Sequence, residues 1–379
     1  MEDIYSIGVQ FFVNYLKRHE SAYETPFAFS FLVTNRCFLK CKHCFYHKTL
    51  NEKSDKELSF DEYRMLSNSL DSFFFGFFAG GEPFIREDFG EIVTVFRKNN
   101  QMLVADTSTN GQLIESIVKQ TEVICQADSI RPFFLEFSIE GFRDVNDEVR
   151  GRGTFDQSLE TWNECKKLKK HYSNLNMGIN TVVNTLNQDS LKSFLSWAAR
   201  EMKPDAMNLM MTRQDPRAGK QIKAIDFENF EQAKTLIKTL QEQQLFAYAD
   251  NPISSLMTEV NKVVFDSLKS GKRGFHCYAG HHGAFVNYNG DVNVCEIFPD
   301  PAAACGNPVQ MANLRDFDMN FIELWNSSNA KAAKELVNSH KACDSCTHET
   351  EGVIPSIFFE PNVLNPLVLE LCTSEPQMN

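Results

Sequence analysis

Thr34-Asn-Arg-Cys37-Phe-Leu-Lys-Cys41-Lys-His-Cys44-Phe-Tyr46 places three cysteines in a C-x3-C-x2-C spacing, directly after the apolar run 27–34. A nearly continuous apolar run reads as a parallel strand buried on both faces. The cysteines therefore fall on the loop at that strand's carboxyl end. Three thiolates on one short loop can hold three irons of a four-iron, four-sulfur cluster and leave the fourth iron without a protein ligand. The same spacing suits a zinc loop completed by a distant fourth ligand. Spacing alone leaves both open.

Outward from the loop, the pattern predicts a βα rhythm. Strands are expected over 27–34, 73–79, 102–108, 133–139, 176–183 and 206–211. Helices are expected from a capping box at Ser59 and Glu62 through Leu70, then over 88–98, 155–170 and 190–202. Such alternation argues a parallel α/β architecture, and a partial (β/α)6 barrel and a doubly wound sheet both satisfy it. Residues 225–270 carry helical periodicity through Phe227, Phe230, Ala233, Leu236, Ile237 and Leu240, and read as a bridge to a second unit over 271–350. Residues 1–25, with Phe11, Phe12, Val13, Tyr15 and Leu16, read as a helical segment lying on the body; 351–379 read as an irregular tail with a disordered end.

The chain has 379 residues, 23% charged and 42% hydrophobic, enough for a barrel and a small second domain. A formal net charge of −12 argues against bulk attraction to nucleic acid or an anionic membrane. Met1-Glu-Asp-Ile lacks the cationic flank of a signal peptide, and the most apolar run, 73–79, is too short to span a bilayer. Eleven cysteines in such a chain read as metal ligands or free thiols in a reducing, cytoplasmic compartment. The 33 phenylalanines are compatible with an apolar cavity.

In parallel α/β folds, functional groups collect on loops at the carboxyl ends of strands. The second strand runs into Gly80-Gly81-Glu82-Pro83, where glycines admit close backbone approach and a carboxylate can accept from an ammonium group. The third ends in Thr107-Ser-Thr109-Asn-Gly111. The fourth ends in Ser138-Ile-Glu140-Gly141, followed by a connecting loop with Asp147 and Arg150. Asn180 interrupts the fifth, and Arg213, Asp215 and Arg217 crowd the loop after the sixth. A second cysteine set follows. Cys277 and Cys295 flank an Asn289-Gly290 hairpin signal, and Cys343-Asp-Ser-Cys346 forms a C-x2-C knuckle. Four thiolates so arranged saturate one centre, a four-iron cluster or a zinc ion. Cys125 and Cys165, in apolar helical settings, read as packing residues.

Taken in this order, the motifs resemble the radical S-adenosylmethionine (SAM) superfamily over about residues 26 to 350. The resemblance favours the partial (β/α)6 barrel over 26–224, with a small C-terminal cluster domain of the SPASM/twitch type. It implies that Cys37, Cys41 and Cys44 hold a [4Fe-4S] cluster whose open iron takes SAM. By the same likeness Gly80, Gly81 and Glu82 meet the cofactor's amino group, and Thr109, Ser138, Arg150 and Asn180 line its pocket. Cys277, Cys295, Cys343 and Cys346 hold an auxiliary [4Fe-4S] cluster. The family shows Asp where Glu140 stands and His where Asn146 stands, and the longer SPASM pattern calls for cysteines at the positions of Gly352 and Ser356. Cys305, His348 and Cys372 are the other ligand candidates. The implied activity is reductive cleavage of SAM to a 5′-deoxyadenosyl radical, which abstracts hydrogen from a peptide or small metabolite for oxidation or bond formation. The implied partner is a reductant such as flavodoxin or ferredoxin. Isomerisation or methyl transfer with a structural auxiliary site, and a non-catalytic metal-knuckle binding protein, stand as rival readings.

Overall fold

A computed structural model describes residues 25–52, 57–213, 216–243, 245, 252–299, 304 and 308–359, together with Phe11 and Tyr15; for 252–259 and 261 it describes backbone alone. Nine strands among these residues form one sheet in the order β6-β5-β4-β3-β2-β1-β7-β8-β9. The first six, β1 (Ala28–Thr34), β2 (Phe75–Gly80), β3 (Val104–Thr109), β4 (Phe133–Ser138), β5 (Leu175–Val183) and β6 (Ala206–Met211), are all parallel and stand in chain order. Helices Phe60–Asn68, Phe89–Asn100, Ile114–Ala127, Thr154–Lys169 and Leu191–Glu201 cross between them. Sequential neighbours throughout, with no reversal of strand order, make this the open parallel barrel and not the doubly wound sheet.

Burial on both faces explains why these strands read as continuous apolar runs. The outward faces of β1 and β2 carry Phe29, Phe31 and Phe78, which pack on Phe73 and on Phe96 of the crossing helix with ring centroids 4.8 to 6.4 Å apart. Much of the phenylalanine content thus serves the helix–sheet interface. Among the described residues, only Phe45, Phe75, Phe77 and Phe285 of the phenylalanines line the central cavity. Ser59 caps the first helix as its sequence predicts, accepting from the Glu62 N–H while the Glu62 carboxylate accepts from the Ser59 N–H. Cys125 and Cys165 are fully buried in the core, as expected.

Two crossing segments were not legible as helices. Ile114–Ala127 begins without a side-chain cap. Arg143–Arg150 is short and charged, with only Val145 and Val149 as apolar residues, and so read as a loop. The C-terminal unit also joins the barrel more closely than a bridge would suggest. β7 (Gly283–Val286) pairs parallel to β1, pairing Ala28 with Gly283 and Phe31 with Val286, and then hairpins into β8 (Asp291–Asn293) and β9 (Ala312–Asn313). Gly290 supplies the positive φ of 90° that the turn needs. Residues expected to begin an irregular tail instead form the helix Ile354–Phe359, whose Phe358 and Phe359 pack on Phe27 at 4.8 and 5.3 Å. Phe11 and Tyr15 are helical and buried beside the same ring. Phe12, Val13, Leu16, Asp215, Cys305, Cys372 and the rest of the expected tail lie outside the described residues.

Candidate functional site

The carboxyl ends of β1 to β6 surround a cavity of about 300 Å³. Cys37, Cys41, Cys44, Gly80, Gly81, Glu82, Thr109, Ser138, Arg150 and Asn180 all line it. The fold thus brings every expected residue of the first site to one place.

The cysteine loop is held by backbone geometry. Gly81 N–H donates to Thr34 O and Glu82 N–H to Arg36 O, both at 2.8 Å. A Cβ on Gly81 would stand 2.1 Å from Arg36 O, and one on Gly80 would stand 2.2 Å from Thr34 O, so only glycine lets the two loops seat together. Lys42 N–H donates to Val149 O at 2.8 Å, which ties the loop to the helix Arg143–Arg150. Asn51 closes the other side, accepting from Cys37 N–H at 3.0 Å and donating to Cys37 O at 2.7 Å. Burial pushes the Cys37 thiol up to about 12 and the Cys44 thiol to about 11, and also raises Cys41. Thiols so placed ionise only when a cation replaces the proton, which is what a metal centre does. Among the described residues no three His, Cys, Asp or Glu side chains converge on a single ion; these three thiols ring a cavity.

Glu82 is buried, and among the described residues no cation pairs with it. Its carboxylate accepts from Thr109 Oγ1 at 2.9 Å and from the Asn110 N–H at 2.7 Å, yet burial outweighs these bonds and pushes it up to about 7. Thr109 therefore acts on the site through Glu82. Glu140, whose length departs from the family pattern, is fully buried and takes Arg150 Nε at 2.9 Å and Nη2 at 2.5 Å on Oε1; Oε2 accepts from Val182 N–H at 2.7 Å. Arg150 in turn places Nη1 3.8 Å from Cys41 Sγ. Asn146, where the family shows histidine, accepts from Glu140 N–H at 2.9 Å and donates to Thr154 Oγ1 at 3.0 Å, so it holds Glu140 in place. Ser138 faces the cavity, and Asn180 donates to Ser108 Oγ at 3.2 Å with Oδ1 left without a partner.

The second cysteine set gathers behind Glu296 and His348, which line the same cavity. Cys277, Cys343 and Cys346 interact electrostatically with one another, and Cys295 with Cys277 and Cys346; burial raises Cys277 to about 12, Cys295 well above the usual thiol range, and Cys346 upward. Backbone N–H donors point at three of the sulfurs: Ala279 to Cys277 Sγ at 3.5 Å, His348 to Cys346 Sγ at 3.4 Å, and Phe298 to Cys295. Such buried thiols with N–H support suit a metal–sulfur centre. His348 is no free ligand, since Nε2 pairs with Glu351 and lies 3.2 Å from Glu296 Oε2. Tyr46 donates to Glu296. Arg213 pairs with Glu349 and reaches His348 Nδ1 at 3.3 Å. This polar wall joins the loop after Cys44 to the hairpin and the knuckle. Tyr46, Glu296 and Glu351 carry no sequence signal; their role exists only once β7 lies beside β1.

A family model described as the Radical SAM superfamily matches residues 31–198, and one described as an iron-sulfur cluster-binding domain (SPASM) matches 277–347. The Fe-coproporphyrin III synthase of Methanosarcina barkeri is 29% identical over 45% of this chain and 41% of its own. Mycofactocin maturase MftC of Mycolicibacterium smegmatis is 27% identical over 49% of this chain and 45% of its own. The matched stretch thus spans less than half the length of either relative. Among solved structures, Streptococcus suis SuiB bound to S-adenosylmethionine superposes with TM-score 0.58 at 16% identity, covering 85% of this chain and 70% of that one. Native anSMEcpe with bound AdoMet superposes with TM-score 0.55 at 19% identity, covering 82% of this chain and 84% of that one. The iron-sulfur description decides between cluster and zinc for the second set. Fold, motif order and both family models agree: the chain belongs to the radical SAM superfamily and carries a C-terminal SPASM iron-sulfur domain.

Proposed function

We propose that the chain reductively cleaves SAM and uses the resulting radical to oxidise, or to form a bond in, a peptide or small metabolite. The observation that carries this reading is the convergence of the cysteine triplet, Gly80-Gly81-Glu82 and Asn180 on one cavity, which Glu296 and His348, neighbours of Cys295 and Cys346, also line. Bound there, a [4Fe-4S] cluster and SAM supply one-electron cleavage of the sulfonium carbon–sulfur bond to methionine and a 5′-deoxyadenosyl radical. The chain's own residues do the rest. Cys37, Cys41 and Cys44 leave one iron open, Glu82 takes the amino group, and Arg150 sets charge beside Cys41. The barrel over 26–224 and the unit over 271–350 divide radical generation from electron removal. Relatives named as maturases support a peptide substrate, and a thiol-rich chain with no helix among the described residues apolar enough to cross a membrane fits a reducing cytoplasm.

The test is anaerobic reconstitution followed by assay for 5′-deoxyadenosine. In the Cys343→Ala/Cys346→Ala variant, iron is expected to fall by about four per chain, with SAM cleavage retained and product lost. Loss of cleavage as well would make the auxiliary site structural and favour the isomerase or methyltransferase reading.

Glu82 gives a pH signature. An ammonium group binds the ionised carboxylate, so below about 7 binding must first displace a proton. Affinity for SAM is expected to fall as pH drops below 7, by up to about tenfold per unit, and this slope should vanish in Glu82→Gln, which should also bind about 10- to 100-fold more weakly. Equilibrium binding between pH 5.5 and 8 reads both.

The reductant is an acidic protein of the flavodoxin or ferredoxin kind. Residues 36–48 and 216–224 contain seven Lys or Arg and no Asp or Glu, in a chain of net charge −12. They join through Arg217 N–H to Cys44 O at 3.1 Å and Ala218 N–H to Lys42 O at 2.9 Å, with Phe38 exposed among them. Lys40→Glu/Lys220→Glu is expected to slow flavodoxin-driven turnover about tenfold or more at low salt and to leave dithionite-driven turnover unchanged.

A further inference from the structure

Side chains alternate along a strand, so the residues lining the cavity identify the inward face of the barrel. One pleat below Ser108 on β3 that face presents Asp106. Glu136, two residues before Ser138 on β4, shares the face but stands behind the cavity lining, over Gly178 of β5, where a Cβ would stand 2.0 Å from its Oε2. Gly178 is thus the space the Glu136 carboxyl occupies, and Asn208 of β6 hydrogen-bonds to it. No Lys, Arg or His stands among the inward residues of these strands.

Acceptors are in surplus here. Ser30 Oγ, Asp106 Oδ1, Glu136 Oε2 and Asn180 Oδ1 are all buried without a hydrogen-bond partner, and Ser30, 3% exposed, faces the cavity from β1. Buried polar groups are normally satisfied, so four unmatched acceptors on four strands describe the complement of a donor-rich group. Two of them belong to carboxyls. Burial pushes Asp106 up to about 7, and burial followed by the Asp106 charge lifts Glu136 well above the carboxylate range. A cation would supply the charge that protons otherwise supply. The surrounding walls are apolar: Phe77 and Phe285 stand level with Ser30 and Asp106, Phe75 one pleat below Phe77, and Leu32 and Met210 nearer the mouth. An aliphatic stem with a charged tip fits such a pocket.

We propose that this floor seats a primary alkylammonium group of the substrate, with Asp106 and Glu136 as its acceptors. The group belongs either to a peptidyl lysine or to a free aliphatic amine. The proposal rests on the radical SAM reading of the cavity and names the substrate class for it.

The test titrates the reconstituted, SAM-loaded protein with n-butylammonium, with n-butanol and with Nα-acetyl-lysine methylamide. Butylammonium is expected to bind and butanol not to. Asp106→Asn, Glu136→Gln and the double variant, checked for folding by circular dichroism, should weaken butylammonium binding at least tenfold while SAM affinity stays the same. Tighter binding of the lysine amide than of butylammonium assigns a peptidyl lysine; the reverse assigns a free amine. The proposal is overturned if butanol binds equally, if the variants retain the amine, or if SAM affinity falls in step, which would make the pair part of the cofactor pocket. A wild-type chain that binds butylammonium but never cleaves SAM would sink the radical reading and leave the ammonium site standing.

Discussion

Cys41→Ala is expected to abolish reductive cleavage of SAM while leaving the chain folded. Cys41 is the buried member of the triplet, and its loop is fixed by backbone hydrogen bonds that alanine does not touch. Removing its sulfur opens a second corner of the cluster, and a cubane with two unprotected irons is not retained in a reducing buffer. Iron should fall by about four per chain, the low-field signal that responds to added SAM should disappear, and 5′-deoxyadenosine should drop below detection, more than about a thousandfold. Iron bound at the auxiliary cysteines should remain, so a cluster signal unresponsive to SAM is the expected residue. If Cys41→Ala cleaved SAM at the wild-type rate, the open-iron assignment would be wrong, whatever the family likeness.

How much of this site the sequence carried depends on what each residue does. Residues whose role is chemical were legible: three thiols at fixed spacing, and a Gly-Gly-Glu whose glycines are required by carbonyl oxygens 2.1 and 2.2 Å from their missing Cβ atoms. Residues whose role is to hold another residue were not. Glu140 read as a departure from pattern, yet its longer side chain reaches Arg150 and the β5 backbone at once. Arg150 read as a cofactor contact, and the fold turns two of its nitrogens toward Glu140 and one toward Cys41. The helix Arg143–Arg150 escaped because its apolar stripe is only two valines wide, its position being set by side-chain bonds from Asn146 and Asp147. Asp106 and Glu136 escaped for a different reason. Acidic residues in apolar runs lower a strand's hydrophobicity without marking which face they occupy, and only the curved sheet turns both inward.

The second large effect concerns that Glu140–Arg150 pair. Glu140 is fully buried and Arg150 nearly so, with both guanidinium contacts falling on one carboxylate oxygen. Replacing Arg150 with methionine keeps the volume and strands a buried carboxylate. Breaking one side of such a pair costs about 3–5 kcal/mol, whereas Glu140→Gln/Arg150→Met, which removes both charges, is expected to recover at least half of the loss. His43 cannot substitute for the guanidinium. Its Nε2 stands 3.8 Å from Glu140 Oε1, but burial pushes its ring down to about 4, so it is neutral at pH 7. Urea denaturation of the four proteins of this cycle measures the loss and its recovery. A second readout separates support of the fold from tuning of the cluster. The guanidinium 3.8 Å from Cys41 Sγ favours the more negative, reduced state of whatever that thiolate ligates. Its removal should lower the reduction potential of the SAM-responsive cluster, and the double variant, which also removes the opposing Glu140 charge at Cys41, should regain only part of it. Full recovery of the potential along with stability would mean that Arg150 acts on the cluster only by holding Glu140.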